Sequence, residues 1–522
     1  LEYHRGVHTS QSDLKRYFRA CERALQTHEA IRVLNGLGPI DEQPWLRYIF
    51  AQFHDAIPGS SINTVYKELN AELKGISEDT LLASAKDWGG SRKSQVCVIN
   101  PLAIPKLSTV ELDAPSGKNT VLTDQRGQII PTQKAGAGKN KKYLAQVPLA
   151  GLESVELTWE KEKGENLINH PDLQASPKSL KSNCLEASFS SSGDLRKLII
   201  DGVEVRLEAD AIFTLHTDSP TSYDAWDIDH QATWLKAKAT KPMKLEVVEC
   251  GPIRATLRGS SPIGEKSSLI VEYSIEANSP YLHIQAKVDW QERQKLLRYQ
   301  ISSGYRGESA RYGAPFGSTD RSQKEGLPKD EAMWEVPASR WAACTDGKGD
   351  GLALITESKY GFSVKDGEMG LSVLKASVHP DAAADLGQHA IKFSLGLHSD
   401  ESTEDWLSTA SAAESLYTPP VLVKGGQCQP VPFSLSSTGS IVPSWVLPSE
   451  TGKGYIIRLH EVAGAQEEME IYFNHPVSSV KSVNLFEKGL KEGCQIKKVG
   501  KQIWSIKVDP YKIISLLVRP GK

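Results

Sequence analysis

A change of rhythm at Gly89-Gly90 constrains this chain more than any other feature. Before it, apolar side chains return every three or four residues. After it, they come in short β-branched, aromatic or alternating runs broken by Gly, Pro and Asn. Leu14, Phe18, Cys21, Leu25 and His28 fall on one helical face, with Lys15, Arg16, Arg19 and Glu22 mostly on the other. Asn35-Gly36 and Gly38-Pro39 stop that helix. Asp41 and Pro44 open a second one, an N-cap followed by proline in the first turn, whose expected buried stripe is Trp45, Ile49 and Phe53. Pro58 disfavours helix at Ile57, which puts His54 and Asp55 in the last turn or just beyond it. Ser60 or Ser61 is placed to cap a third helix with the stripe Ile62, Tyr66, Leu69, Leu73 and Ile76. Three helices around one seam predict a small bundle, and His54-Asp55 then lies at a bundle end.

Past the glycines, Val96 to Ile99, Tyr143 to Val147 and Ser154 to Trp159 read as strands, as do Leu269 to Ile275 and Tyr281 to Trp290. No alternation of strand with helix appears, so a parallel sheet is not expected. Pro-rich breaks lie near Thr418-Pro419-Pro420 and from Gln429 to Pro432. The expected fold is multidomain, α plus all-β: an N-terminal three-helix bundle followed by antiparallel β-sandwiches. The expected segments are 1–88 (helical), 89–178 (small β), 179–420 (large β-sandwich) and 421–522 (small closing β-sandwich).

At 522 residues the chain is too long for one core. With 61 Lys plus Arg against 64 acids it shows no basic footprint for nucleic acid or for an anionic membrane surface. No apolar stretch approaches the length that spans a bilayer. The seven cysteines are far apart and form no CxxC, which fits reduced, mostly buried thiols rather than a zinc knuckle or a disulfide framework. Asn-x-Ser/Thr with a non-proline centre does not occur, so a cytoplasmic location is expected.

The chemistry-bearing candidate is Gln52-Phe53-His54-Asp55, followed by Ala56-Ile57 and Pro58-Gly59-Ser60-Ser61. A histidine beside a carboxylate at a helix end either satisfies a structural need, as a cation at the helix C-terminus, or takes a metal or a hydrogen-bonding ligand. A three-helix bundle is too narrow to enclose a ligand, so the second reading needs further pocket walls from elsewhere.

The surrounding residues resemble a known family. Glu2-Tyr3-His4-Arg5-Gly6-Val7-His8-Thr9-Ser10-Gln11, with Lys15-Arg16, Arg19 and Glu22, is similar to the opening of the middle helical domain of glycoside hydrolase family 38, the α-mannosidases. Residues 52–62 resemble that domain's second signature. Looser similarity continues through Tyr223-Asp224-Ala225-Trp226-Asp227-Ile228-Asp229, Pro315-Phe316-Gly317 with Arg321, Trp334-Glu335, Arg340-Trp341, Tyr360-Gly361, Asp385 and His389. It reaches Arg458 and Glu461 near the end. The motifs are closer to the bacterial and cytosolic branch. Two departures stand out: His4 takes the place of a Trp that stacks near the sugar in the other branch, and Lys375 stands where Leu-Leu-Arg is usual.

The resemblance implies the C-terminal part of a metal-dependent, retaining enzyme acting on terminal α-mannosides. It implies that His54 is a ligand of one divalent metal, zinc first and cobalt second, and that Asp55 and His4 lie on the substrate side. The nucleophile, the acid/base carboxylate and the remaining metal ligands are expected upstream of Leu1, leaving no catalytic residue in this chain and no hydrolysis by it alone. The expected partner is an α-mannoside or oligosaccharide, with homo-oligomers admitted and neither nucleic acid nor membrane. The stretch 224–229 reads either as a surface loop between strands or as a Trp face with flanking carboxylates that suits a sugar ring. The alternative is a non-catalytic β-sandwich protein that binds carbohydrate or is structural.

Overall fold

The structure, a computed structural model, describes residues 4–89, 95–115, 120–135, 142–161, 173–234, 238–403, 406–436, 439–491 and 493–521. Tyr3 and Gly90 lie outside them.

Three helices open the chain: α1 (Ser12–Leu34), α2 (Gln43–Phe50) and α3 (Asn63–Trp88). The apolar face of α1 is the expected one, with Leu14, Phe18, Cys21, Leu25 and His28 all buried. Gly36, at φ +63°, turns the chain just past its end as a left-handed C-cap does. Asp41 accepts the Gln43 backbone N–H at 3.1 Å and so caps the start of α2. The opposite face of α1 departs from expectation: Lys15 and Arg19 are buried, at 3% and 5% exposure. The stripe foreseen on α2 is also wrong. Ile49 and Phe53 are each 56% exposed, and Leu46 and Phe50 are exposed beside them. This short helix buries Tyr48 instead, stacked on Phe18 at 4.3 Å. With one buried residue per two turns, α2 is anchored by that ring contact and leaves its apolar side outward. In α3, Tyr66, Leu69 and Leu73 are buried, while Ile62, just before its start, is 57% exposed.

From Gln95 onward the described residues are almost wholly β, and every strand pairing among them is antiparallel. The chain divides into two compact units, each drawing on three segments. One comprises Leu1–Ala20, Leu46–Lys74 and Pro171–Ser399; the other comprises Cys21–Trp45, Gly75–His170 and Asp400–Lys522. Helices α1 and α3 each contribute to both. The first unit contains a nine-stranded and a six-stranded sheet. Its central strands Ser267–Glu276 and Leu282–Trp290 alternate cleanly, with Leu269, Val271, Tyr273 and Ile275 inside. Register pairs Tyr273 with Ile284 and Val271 with Ala286, so like faces meet across the ladder. Strand Gly351–Thr356 is buried along its whole length. The second unit holds two four-stranded sheets from residues 433–520, sharing a core that includes Phe433, Ile457, Ile471 and Leu516. Among the described residues no helix is long and apolar enough to cross a membrane.

Candidate functional site

The two helical motifs meet within the first unit, and buried polar side chains join them. Residues 4–12 are held from several directions. Arg5 donates to the Ala332 carbonyl at 3.1 Å, pairs with Asp227 at 3.4 Å, and lies over the Trp334 ring at 3.7 Å. The Gly6 N–H reaches the Trp226 carbonyl at 2.7 Å. Glycine is needed there, because a Cβ would stand 2.8 Å from the Asp227 carbonyl oxygen and 2.9 Å from Lys375 Cε. Ser10 donates to the Ala225 carbonyl at 2.9 Å. Both carboxylate oxygens of buried Asp385 accept backbone N–H groups at the start of α1, from Gln11 at 2.7 Å and Ser12 at 2.6 Å. A carboxylate so placed satisfies otherwise orphaned donors and faces the positive end of the helix.

Lys15 ties this segment to the second motif. Its ammonium, buried on the face expected to meet solvent, donates to the carbonyls of Ser10, Ile57 at 3.0 Å and Pro58 at 3.4 Å. Burial pushes its pKa down to about 7, against the pull of Asp385 and with help from Lys359. Gly59, at φ +93°, passes close by: a Cβ there would lie 2.7 Å from the Ser10 carbonyl oxygen. Tyr66 Oη donates to the Asp55 carbonyl at 3.1 Å and accepts the Ser61 N–H at 2.6 Å. Asp381 accepts from Gln11 at 2.8 Å and from Asn63 at 3.1 Å, joining the first motif to the start of α3.

The turn carried by these contacts presents His54 and Asp55. Helix α2 ends at Phe50, so both lie beyond it. The His54 side chain is 79% exposed and that of Asp55 46%; Nε2 and Oδ2 stand 3.4 Å apart. Ser60 Oγ donates to Asp55 Oδ1 at 3.4 Å, and the Phe53 ring lies 4.4 Å from the imidazole. His54 is therefore not a buried group capping its own helix. Among the described residues no three His, Cys, Asp or Glu side chains cluster to hold a metal. The donors present, one imidazole and a neighbouring carboxylate, fit one corner of a metal site and not a whole one. His4 is exposed. His8, by contrast, is driven to a pKa of about 3 by burial and by the charge of Lys15, and so is neutral near pH 7.

The scattered blocks downstream converge on the first motif. Asp224 and Asp227 do not flank a sugar platform. Both are buried, Asp224 accepting from the Val378 and His379 N–H groups at 2.6 and 3.2 Å and Asp227 pairing with Arg5. Trp334 donates to the Ile228 carbonyl at 2.9 Å. Glu335, fully enclosed, pairs with Arg298 at 3.2 Å, and a Cβ on Gly361 would meet both Glu335 and Thr9. Lys375 forms a fully buried ion pair with Asp218, whose second oxygen has no hydrogen-bond partner. A point-charge ammonium satisfies one carboxylate oxygen where a guanidinium fork would take two. Missed from the sequence were Lys15 as a tie, the Tyr66 hydroxyl, and Asp381. The available signal was that Lys15 and Arg19 already belong to the first motif.

Comparison with known proteins follows this geometry. A model described as the alpha mannosidase middle domain matches residues 2–82. Glycosyl hydrolases family 38 C-terminal domain and C-terminal beta sandwich domain models match 180–383 and 440–516. Alpha-mannosidase 2C1 of Homo sapiens is 26% identical over 99% of this chain and 50% of its own length. Alpha-mannosidase G of Dictyostelium discoideum is 24% identical over 98% and 52%. The chain spans about half the length of the curated relatives it matches. A solved family 38 protein and a solved alpha-mannosidase from Enterococcus faecalis share its fold, with TM-scores of 0.77 and 0.76 at 13% and 12% identity. They cover 98% of this chain and 70% and 68% of their own.

Proposed function

We propose, from the premise that this chain belongs to glycoside hydrolase family 38, that it is the C-terminal part of a metal-dependent retaining α-mannosidase and supplies a portion of that enzyme's active site. One observation carries the proposal: His54 and Asp55 are presented together at the surface, on a turn fixed by buried bonds, beside the exposed apolar side chains of Ile49, Phe50 and Phe53. An exposed pair of this kind adds little to stability, so stability alone gives little reason to hold it on a fixed turn.

In this reading the His54 imidazole provides one ligand to a divalent cation, zinc or cobalt, as a neutral ring with a nitrogen lone pair. The bound cation would supply electrostatic grip on adjacent sugar hydroxyls. Asp55 accepts hydrogen bonds from hydroxyls of a terminal mannose as a carboxylate, and the Ser60 hydroxyl together with the Tyr66 bond to its carbonyl fixes its orientation. His4 lies on the substrate side. Retention requires two carboxylates about 5–5.5 Å apart, one attacking and one acting as acid then base. Neither is assigned to this chain.

The test is an assay of the 522-residue chain on an aryl α-mannoside, with zinc or cobalt added. No turnover is expected, whereas the full-length enzyme should turn over. Metal-dependent hydrolysis by the chain alone would place the catalytic carboxylates within it and overturn the assignment.

A further inference from the structure

Two of the seven cysteines, distant in sequence, are neighbours in the second unit. Cys97 lies in strand Gln95–Ile99, wholly buried, and Cys428 is half-buried against the same core. The fold builds this contact. Strand Val421–Lys424 pairs with Gln95–Ile99, with Val423 opposite Cys97. The Gly425 N–H then bonds to the Gln95 carbonyl at 2.8 Å, and Gly425, at φ +76°, reverses the chain. Gly426 follows so closely that a Cβ on it would stand 3.3 Å from Cys97 Cβ. Beyond Cys428, the Gln429 N–H is held by Ser154 Oγ at 2.9 Å, and Ser154 is the register partner of Ile99. The 425–429 loop is thus pinned at one side to the strand that carries Cys97 and at the other to the strand beside it, and each thiol shifts the other's ionisation.

We infer that Cys97 and Cys428 form a reversible dithiol/disulfide pair, an oxidative modification site on the second unit that responds to hydroperoxides. Cys428 is the attacking member, because it is the more accessible of the two. The neighbouring Cys97 thiol is the main cause that draws its pKa down to about 7, while Cys97 is held well above the usual thiol range. In the first step the Cys428 thiolate attacks one oxygen of the peroxide. The O–O bond breaks, Cys428 becomes a sulfenic acid, and hydroxide leaves, taking a proton to form water. In the second, the Cys97 sulfur attacks the sulfenic sulfur. The S–O bond breaks, the departing hydroxide takes the Cys97 proton as a second water, and the S–S bond closes. Two thiols and one hydrogen peroxide give one disulfide and two waters. A thiol reductant reverses it by exchange.

The test uses the full chain, reduced and then exposed to hydrogen peroxide. Remaining thiols are blocked, and digested peptides are analysed by mass spectrometry. The expected product is a Cys97–Cys428 linked peptide that dithiothreitol removes. In Cys97→Ser, which removes the second thiol, peroxide should leave Cys428 as a sulfenic acid that dimedone traps. Absence of the linked peptide, or a dimedone adduct on Cys428 no greater in Cys97→Ser than in wild type, overturns the proposal.

Discussion

The two helical motifs of the first unit are built in opposite ways. Residues 4–15 are largely buried, and their polar groups are consumed: Arg5 by Asp227 and Ala332, the α1 N-terminus by Asp385, Lys15 by three carbonyls. The turn at 52–61 is buried at Ala56, Gly59 and Ser60 and exposed at Gln52, Phe53 and His54. It keeps its backbone fixed through Lys15, Gly59 and Tyr66 while leaving the His54 and Asp55 side chains to solvent. The difference separates holding from presenting. A buried ion pair or capped amide is costly to break and offers nothing to a ligand, whereas an exposed imidazole on a fixed backbone retains its binding capacity.

The contrast is sharpened first by His54→Ala in the full-length enzyme. Metal content should fall with activity, by at least about a thousandfold in kcat/KM, or ~4 kcal/mol of transition-state stabilisation, while the thermal midpoint hardly moves. Metal analysis beside kinetics decides it, and full activity with stoichiometric metal would break the presenting role. Next is Lys15→Ala, which strands buried carbonyl acceptors and should cost about 3 kcal/mol of stability by denaturant titration. Its pH dependence has a definite sign. The folded pKa of about 7 lies below the ordinary lysine value, so between these values the unfolded chain holds a proton that the folded chain lacks. The Lys15 contribution should therefore grow as pH rises from about 7 towards 10, read as wild type minus Lys15→Met. Asp55→Asn should follow, with metal retained and kcat/KM lowered roughly tenfold, the ~1.4 kcal/mol of one charge-assisted bond. Loss of metal with it would make Asp55 a ligand or its support. Smallest is Ile49→Ser, on the exposed side of α2, expected to shift stability of this chain by less than about 0.5 kcal/mol. A loss of several times that would mean that this face is covered.

How much of this the sequence disclosed depends on what each residue packs against. The α1 stripe from Leu14 to His28 and the alternation through Leu269 to Ile275 were legible, because each repeats its period over several turns or residues and has one dominant buried face. Helix α2 was not. Its eight residues carry apolar side chains on more than one side, and periodicity says which side chains are alike rather than which face is covered. Lys15 was assigned to solvent for the same reason: a charged residue off the apolar stripe is normally exposed, and only the chain at 57–58 supplies its acceptors. The aspartates at 224 and 227 read as part of a surface loop or a sugar platform, and they are buried acceptors for distant N–H and guanidinium groups. His54 and Asp55 were found as a pair from their adjacency and the Pro-Gly that follows. Their exposure came only with the fold.

The central claim is that the buried first motif holds the exposed second, with Lys15 as the tie. Amide hydrogen exchange of wild type and Lys15→Met, both as the full chain, tests it most directly. Exchange at Ala56, Ile57, Gly59 and Ser61 should accelerate about tenfold or more in Lys15→Met, the loss of roughly 1.4 kcal/mol of local protection, while amides of Ser267–Glu276 and Leu282–Trp290 stay unchanged. Unaltered exchange across 52–61, with Lys15→Met folded, would contradict the account.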